Sequence, residues 1–186
     1  MGSIQVIPDE VGKFITFEGG EGAGKSTQIK RLADFLETRG IVTSLTREPG
    51  GSVGGEDIRR LLVEGAIDRW DAIAETLLHT AARRSHLIDL IEPARQDGKW
   101  VLCDRFADST AAYQGYGQGL ELDFIAELRS KIVGDAEPEL TILLDISVDQ
   151  GLARASERGN IARYERMDRS IHEKIREGFL KIAAEN

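Results

Sequence analysis

The run Gly19-Gly20-Glu21-Gly22-Ala23-Gly24-Lys25-Ser26 limits what this chain can be more than any other, because it fits the pattern G-x-x-x-x-G-K-[ST]. The strand-like segment Lys13 to Phe17 precedes it, and Ile29, Leu32, Ala33 and Leu36 follow at helical spacing. A strand, a glycine turn and a helix in that order aim successive backbone N–H groups at phosphate oxygens, and the helix adds the positive end of its dipole. Lys25 supplies a full charge, and the Ser26 hydroxyl suits Mg²⁺. Gly19 through Thr27 is therefore the expected binding segment for a nucleotide phosphate chain. Ordinary glycine usage would produce this pattern by chance in about one chain in a hundred of this length. A bare glycine turn with an exposed lysine is the weaker explanation.

The 186 residues, 41% of them hydrophobic, are enough for one domain of ordinary size spanning 1–186. Acidic residues outnumber basic ones, 32 to 24, and the net charge of −8 argues against a nucleic-acid or membrane-surface binder, which needs a positive footprint. The single cysteine, Cys103, allows no internal disulfide, and His79, His86 and His172 have no metal-ligand spacing. No apolar run approaches the roughly 20 residues of a membrane span, and the N-terminus lacks the pattern of a signal peptide. The expectation is a cytoplasmic enzyme.

Along the chain, helix 1 should end at Gly40, with a second strand over Ile41–Thr46 and a short helix over Glu56–Val63. A long helix should begin near Asp71, pass Ile88 and stop at Pro93 or Gly98. Trp100–Cys103 and Leu140–Leu144 read as buried strands ending at Asp104 and Asp145, and a last helix covers Ser170–Ala184. Strands separated by helical stretches imply an α/β fold, a parallel β-sheet flanked by helices, with ligands bound beyond the carboxyl ends of the strands. Asp104 is then placed to hold Mg²⁺ opposite Ser26, with a helix cap as its alternative; for Asp145 capping or support is the better reading.

Three motifs in order carry a resemblance: the phosphate loop with Glu21 at its third position, then Thr46-Arg47-Glu48-Pro49-Gly50-Gly51, then Asp104-Arg105-Phe106-Ala107-Asp108-Ser109 with Ala112-Tyr113-Gln114-Gly115. The arrangement closely resembles thymidylate kinase, from Phe14 to the final helix. The resemblance implies a P-loop NTPase of the nucleoside monophosphate kinase-like kind, with ATP, Mg²⁺ and dTMP as ligands and a homodimer as the assembly. It implies that Glu21 approaches the deoxyribose 3′-OH and that Arg47 and Arg105, in the motifs with Glu48 and Ser109, hold the acceptor phosphate region. Arg59 and Arg83 would contact phosphate or base, Gln114 the thymine edge, and Tyr113 the sugar, disfavouring a 2′-OH. Residue chemistry alone leaves more open: Arg47 could be a solvated surface arginine, Tyr113 and Gln114 could line a flexible loop at Gly115–Gly119, and of the adjacent pairs Arg59/Arg60 and Arg83/Arg84 only one member each can face a site.

Gly22 stands where some thymidylate kinases carry an arginine, so by resemblance the cation should come from a lid around 154–166, with Arg158 as the expected residue and Arg163 as the weaker candidate. His79 replaces a phenylalanine that stacks on thymine in the family; the expectation is that the imidazole still stacks and makes KM for dTMP depend on pH, set against a satisfied polar residue on a helix. The family pattern usually continues through another strand and helix that frame adenine, whereas this sequence stops at Asn186. Two other functions compete: a kinase for a different nucleoside monophosphate, and a nucleotide-driven switch. The second has no use for the Arg47, Arg105 and Gln114 set, and no Asn-Lys-x-Asp sequence occurs.

Overall fold

Every residue of the strand ahead of the glycine loop is buried, so β1 (Phe14–Glu18) is covered on both faces, as a central parallel strand must be. It pairs in parallel with β3 (Trp100–Asp104) and β4 (Leu140–Leu143), and β2 (Thr43–Arg47) adds outside β3 to give the order β2-β3-β1-β4. The computed structural model describes residues 11–157 and 163–185. The strand period of two sorts side chains between the faces. Phe14, Val101 and Cys103 pack with Leu87, Ile91, Phe106 and Val133, whereas Ile15, Phe17 and Leu102 meet Ile29, Ala33 and Leu36 of α1 (Lys25–Glu37). Truncating a fully buried side chain here, such as Leu102, costs about 2–5 kcal/mol.

Helix boundaries follow their capping residues. The helix expected from Glu56 starts earlier, as α2 (Val53–Val63), because the Ser52 hydroxyl accepts from Gly55 N at 3.1 Å. Asp71 caps α3 (Ala72–His86) in the same way, accepting from Ala74 N at 2.7 Å. Pro93 does not stop the long helix. A π-turn over Leu87–Ile91 widens the coil immediately before α4 (Glu92–Gln96), and Pro93 takes a place in the first turn of α4, where a missing N–H is tolerated; the run ends before Gly98.

The segment expected to be a flexible loop is helical. Short α5 (Ala107–Thr110) runs into a π-turn over Ala111–Gly117, and a Cβ on Gly117 would lie 2.8 Å from Ile175 Cγ1. Close packing against α8 (Arg169–Glu185) therefore explains that glycine, and Tyr113 shares a buried cluster with Ile175, Phe179 and Tyr164. Helix α6 (Leu122–Ile132) was not anticipated, and α7 (Val148–Ser156) follows β4. Asp145 makes a bidentate pair with Arg176 at 2.6 and 2.7 Å, which ties β4 to α8. Among the described residues no helix is long and apolar enough to cross a membrane. Because the strands run in parallel, β1, β2 and β3 deliver Gly19, Glu48 and Arg105 to the same edge of the sheet.

Candidate active site

The phosphate loop is held from within and from behind. Lys25, nearly buried at 7% exposure, donates from Nζ to the carbonyls of Gly19 (3.1 Å) and Gly20 (3.0 Å); burial, then Arg105, pushes its pKa down to about 8. Gly22 has φ +66°, and a Cβ there would lie 2.0 Å from the carbonyl oxygen of Gly151 on α7. Gly151 is constrained in turn, since its own Cβ would lie 2.4 Å from the Glu21 carbonyl oxygen. This contact is a steric reason why the loop carries glycine rather than arginine at position 22.

Ser26 Oγ donates to Asp104 Oδ2 at 2.8 Å, across the gap between α1 and the end of β3. One hydroxyl and one carboxylate are hard oxygen donors that fit Mg²⁺, which keeps most of its coordination sphere for water and phosphate. Among the described residues no cluster of three or more His, Cys, Asp or Glu could hold a metal alone.

Arg105 is the hub of the arrangement. Its backbone sits at φ +71°, the only non-glycine residue with positive φ among the described residues, and its N–H donates to the Phe17 carbonyl at 2.9 Å. Holding a non-glycine residue there costs about 1–2 kcal/mol and turns the side chain back over the loop. Nη1 donates to the Gly19 carbonyl (2.9 Å) and Ser109 Oγ (3.2 Å); Nη2 donates to Glu21 Oε1 and to the Tyr113 hydroxyl, both at 2.9 Å. The Tyr113 hydroxyl donates in turn to Glu21 Oε1 at 2.8 Å. Burial alone would push the Glu21 pKa up, but Arg105 and Lys25 outweigh it and bring the group down to about 2. Burial also opposes the charge of Arg105, yet Tyr113 and Glu21 raise its pKa further.

Under this layer lies Glu18, 1% exposed. Its Oε1 accepts from the backbone N–H groups of Phe106 (2.7 Å) and Ser109 (3.3 Å), and its Oε2 from the Ser109 hydroxyl (2.6 Å). Burial, then Asp108, raises its pKa to about 7.

Glu21, Lys25, Ser26, Asp104, Arg105 and Ser109 face a cavity of about 620 Å³ that Arg47, Glu48, Arg59, His79, Arg83, Tyr113 and Gln114 also line. Arg47 chelates Glu56 at 3.0 and 3.1 Å, and Arg59 donates to the Pro49 carbonyl at 2.7 Å, beyond the cis Glu48–Pro49 bond. Arg60 instead pairs with Asp57 at the surface, and Arg84 reaches the Ile132 carbonyl. Arg83 is buried: Nε donates to Glu48 Oε2 at 2.7 Å and Nη2 to the Phe106 carbonyl and Thr110 Oγ1. The other Glu48 oxygen faces His86 Nδ1 at 3.1 Å.

Two expectations change. His79 Nε2 lies 2.8 Å from the Tyr164 hydroxyl, and burial followed by the charges of Arg83 and Arg163 pushes its pKa down to about 3. That keeps the ring neutral near pH 7 and predicts a KM for dTMP without a histidine inflection between pH 6 and 8. Arg163 is not a lid cation: it is 1% exposed and donates to the carbonyls of Leu62 (2.9 Å) and Ile67 (2.7 Å) and to Glu75. Arg154, exposed on α7, lines the cavity in its place, whereas Arg158 lies outside the described residues.

Sequence reasoning missed Glu18, Glu75 and Tyr164. Glu75 had a readable signal: positions 75, 79 and 83 fall one helical turn apart on one face of α3. Glu18 hid inside an apolar strand, and Tyr164 reaches His79 only through the fold.

The thymidylate kinase family model matches residues 17–186. The chain belongs to this family. It is 54% identical over 172 residues to the thymidylate kinase of Caulobacter vibrioides, covering 92% of this chain and 83% of that one. The thymidylate kinase of Magnetococcus marinus is 49% identical over 173 residues, covering 92% of this chain and 82% of its own. The crystal structure of the Ehrlichia chaffeensis thymidylate kinase superposes with a TM-score of 0.76 at 36% identity, covering 95% of this chain and 83% of that one. The family's P-loop fold accounts for the sheet order and for the loop at the end of β1.

Proposed function

We propose that the protein transfers the γ-phosphoryl group of ATP to dTMP, giving ADP and dTDP for dTTP synthesis. The observation that carries this reading is Arg105: one guanidinium bonded both to the phosphate loop, at Gly19 and Glu21, and to Ser109 and Tyr113 of the helical run that follows β3. A donor site for phosphates and a polar second site thus share a cation where charge develops during transfer.

On this reading the loop from Gly19 to Thr27 cradles the donor phosphates, and Mg²⁺ held near Ser26 and Asp104 would neutralise their charge. An oxygen of the acceptor phosphate attacks the γ-phosphorus in line while the bond to the β-phosphate oxygen breaks. The attacking oxygen is already ionised, so no general base is needed, and the work of the protein is positioning and charge. Arg47, Arg59 and Arg105 supply cations to the acceptor phosphate. Glu21, held ionised, is an acceptor suited to a sugar hydroxyl, and Tyr113, fixed between Arg105 and Glu21, presents a ring where a 2′-OH would crowd. Arg154 takes the lid role with Arg158. Exposed Ile73, Leu77 and Ile88, on one side of the α3 run, support a homodimer through this helix, and the single unpaired cysteine, Cys103, supports a cytoplasmic enzyme.

Calorimetric titration with dTMP tests the acceptor assignment. Arg105→Met should weaken binding by about a hundredfold, equivalent to about 2.7 kcal/mol. An unchanged affinity would remove Arg105 from the acceptor side.

A further inference from the structure

Glu75 is a buried carboxylate, 1% exposed, whose two oxygens are both engaged. Its Oε1 accepts from Gln114 Nε2 and from Gln118 Nε2, each at 2.7 Å, and its Oε2 accepts from Arg163. An ionised carboxylate can only accept hydrogen bonds, so the side-chain amide of Gln114 must turn its NH₂ toward Glu75. Gln114 is itself 1% exposed and lines the cavity. With Nε2 turned to Glu75, the amide atom directed away from it is Oε1, an acceptor. Arg83, on the same helix as Glu75 two turns later, brings donors to the same cavity.

We infer that Glu75 is a positioning residue for base selection: it locks the Gln114 amide so that its carbonyl oxygen, rather than its NH₂, is turned toward the nucleobase. The inference rests on the function proposed above and deepens it. A fixed acceptor pairs with the N3–H of a thymine or uracil ring, whereas cytosine presents a lone pair at N3 and would meet it oxygen to nitrogen with no proton between. A buried polar group left unpaired by the wrong ligand discriminates strongly, far more than an added or missing methyl group does. An amide free to flip would lose this, because its NH₂ could serve cytosine equally well. The arrangement therefore selects pyrimidines with an N3–H as a class and leaves thymine and uracil undistinguished.

The test compares kcat and KM for dTMP and dCMP in wild type, Glu75→Gln and Gln118→Leu. Replacing the carboxylate by an amide lets Gln114 adopt either orientation, so the dTMP-to-dCMP ratio of kcat/KM should fall by at least about tenfold, through KM, while kcat for dTMP stays within about twofold. Gln118→Leu disturbs the same buried corner but leaves the lock on Gln114, and its ratio should stay within about threefold of wild type. An unchanged ratio in Glu75→Gln, or an equal loss in Gln118→Leu, overturns the inference. A wild type that does not phosphorylate dTMP would refute the proposed function instead, and a second measurement needs neither turnover nor a variant that folds. In wild type carrying ¹⁵N-glutamine, the Gln114 Nε2 proton bonded to Glu75 should be protected from exchange before dTMP is added and remain so afterwards. Protection that appears only with dTMP would show the NH₂ facing the base and contradict the lock.

Discussion

At the scale of single residues, the site works by tying each charge to a partner that also fixes its direction. Arg105 accepts an unfavourable backbone conformation and returns four side-chain bonds to the loop and the facing helix. His79 is fixed differently, by Tyr164, and kept neutral by burial and neighbouring arginines. Its ring still lines the cavity, and on the proposed function it would act there by stacking rather than by titration. His79→Phe should therefore lower KM for dTMP about two- to fivefold through the larger ring, with the same pH dependence as wild type between pH 6 and 8. Steady-state kinetics across that range check this; an inflection near neutral pH in wild type that the variant abolishes would contradict it. The motif residues were legible because phosphate chemistry demands particular types at particular spacings. Arg163 was misread because a cation near a lid looks the same in sequence whether it faces phosphate or, as here, caps backbone carbonyls of the α2–α3 connection.

At the scale of elements, the close approach of the phosphate loop to α7 is the feature most exposed to test. Gly151→Ala would place a methyl group 2.4 Å from the Glu21 carbonyl oxygen, and something must shift. Overpacking of this kind costs about 1–3 kcal/mol, and displacement of Glu21 and the loop should reduce kcat about tenfold or more. Thermal melting and turnover measured together would show both effects, and a wild-type kcat would mean that the loop accommodates the methyl group without loss. Strands and the first and last helices were readable from period and punctuation. Both π-turns were not, since they depend on local accommodation: one lies beside Pro93, and the other packs Gly117 onto Ile175. Glycines at 115, 117 and 119 suggested a loop from sequence alone, whereas at 117 the missing side chain serves packing.

At the scale of the whole molecule, two buried groups set opposing pH dependences of stability. Glu18 has a raised folded pKa, about 7, so its contribution is present below the unfolded value near 4.5 and is lost as pH rises to about 7. His79 has a lowered folded pKa, about 3, so its contribution is present above the unfolded value near 6.5 and is lost as pH falls toward about 3. Between pH 4.5 and 6.5 the two slopes oppose each other. Glu18→Gln removes one of them, and stability should then rise more steeply with pH in that window, by up to about 1.4 kcal/mol per pH unit. Urea unfolding at several pH values measures it, and parallel curves for variant and wild type would contradict it. On the proposed function, the shared edge of the sheet is a transfer site with a selective acceptor pocket. The most direct measurement is ADP formation from ATP and Mg²⁺ with dTMP, dUMP, UMP, dCMP, dGMP and AMP as separate acceptors, alongside Lys25→Ala. The prediction is ADP formation that depends on an acceptor, with dTMP preferred, dUMP used to a lesser degree and Lys25→Ala inactive. ADP formed equally without an acceptor, or a preference for a purine or cytosine nucleotide, would contradict it.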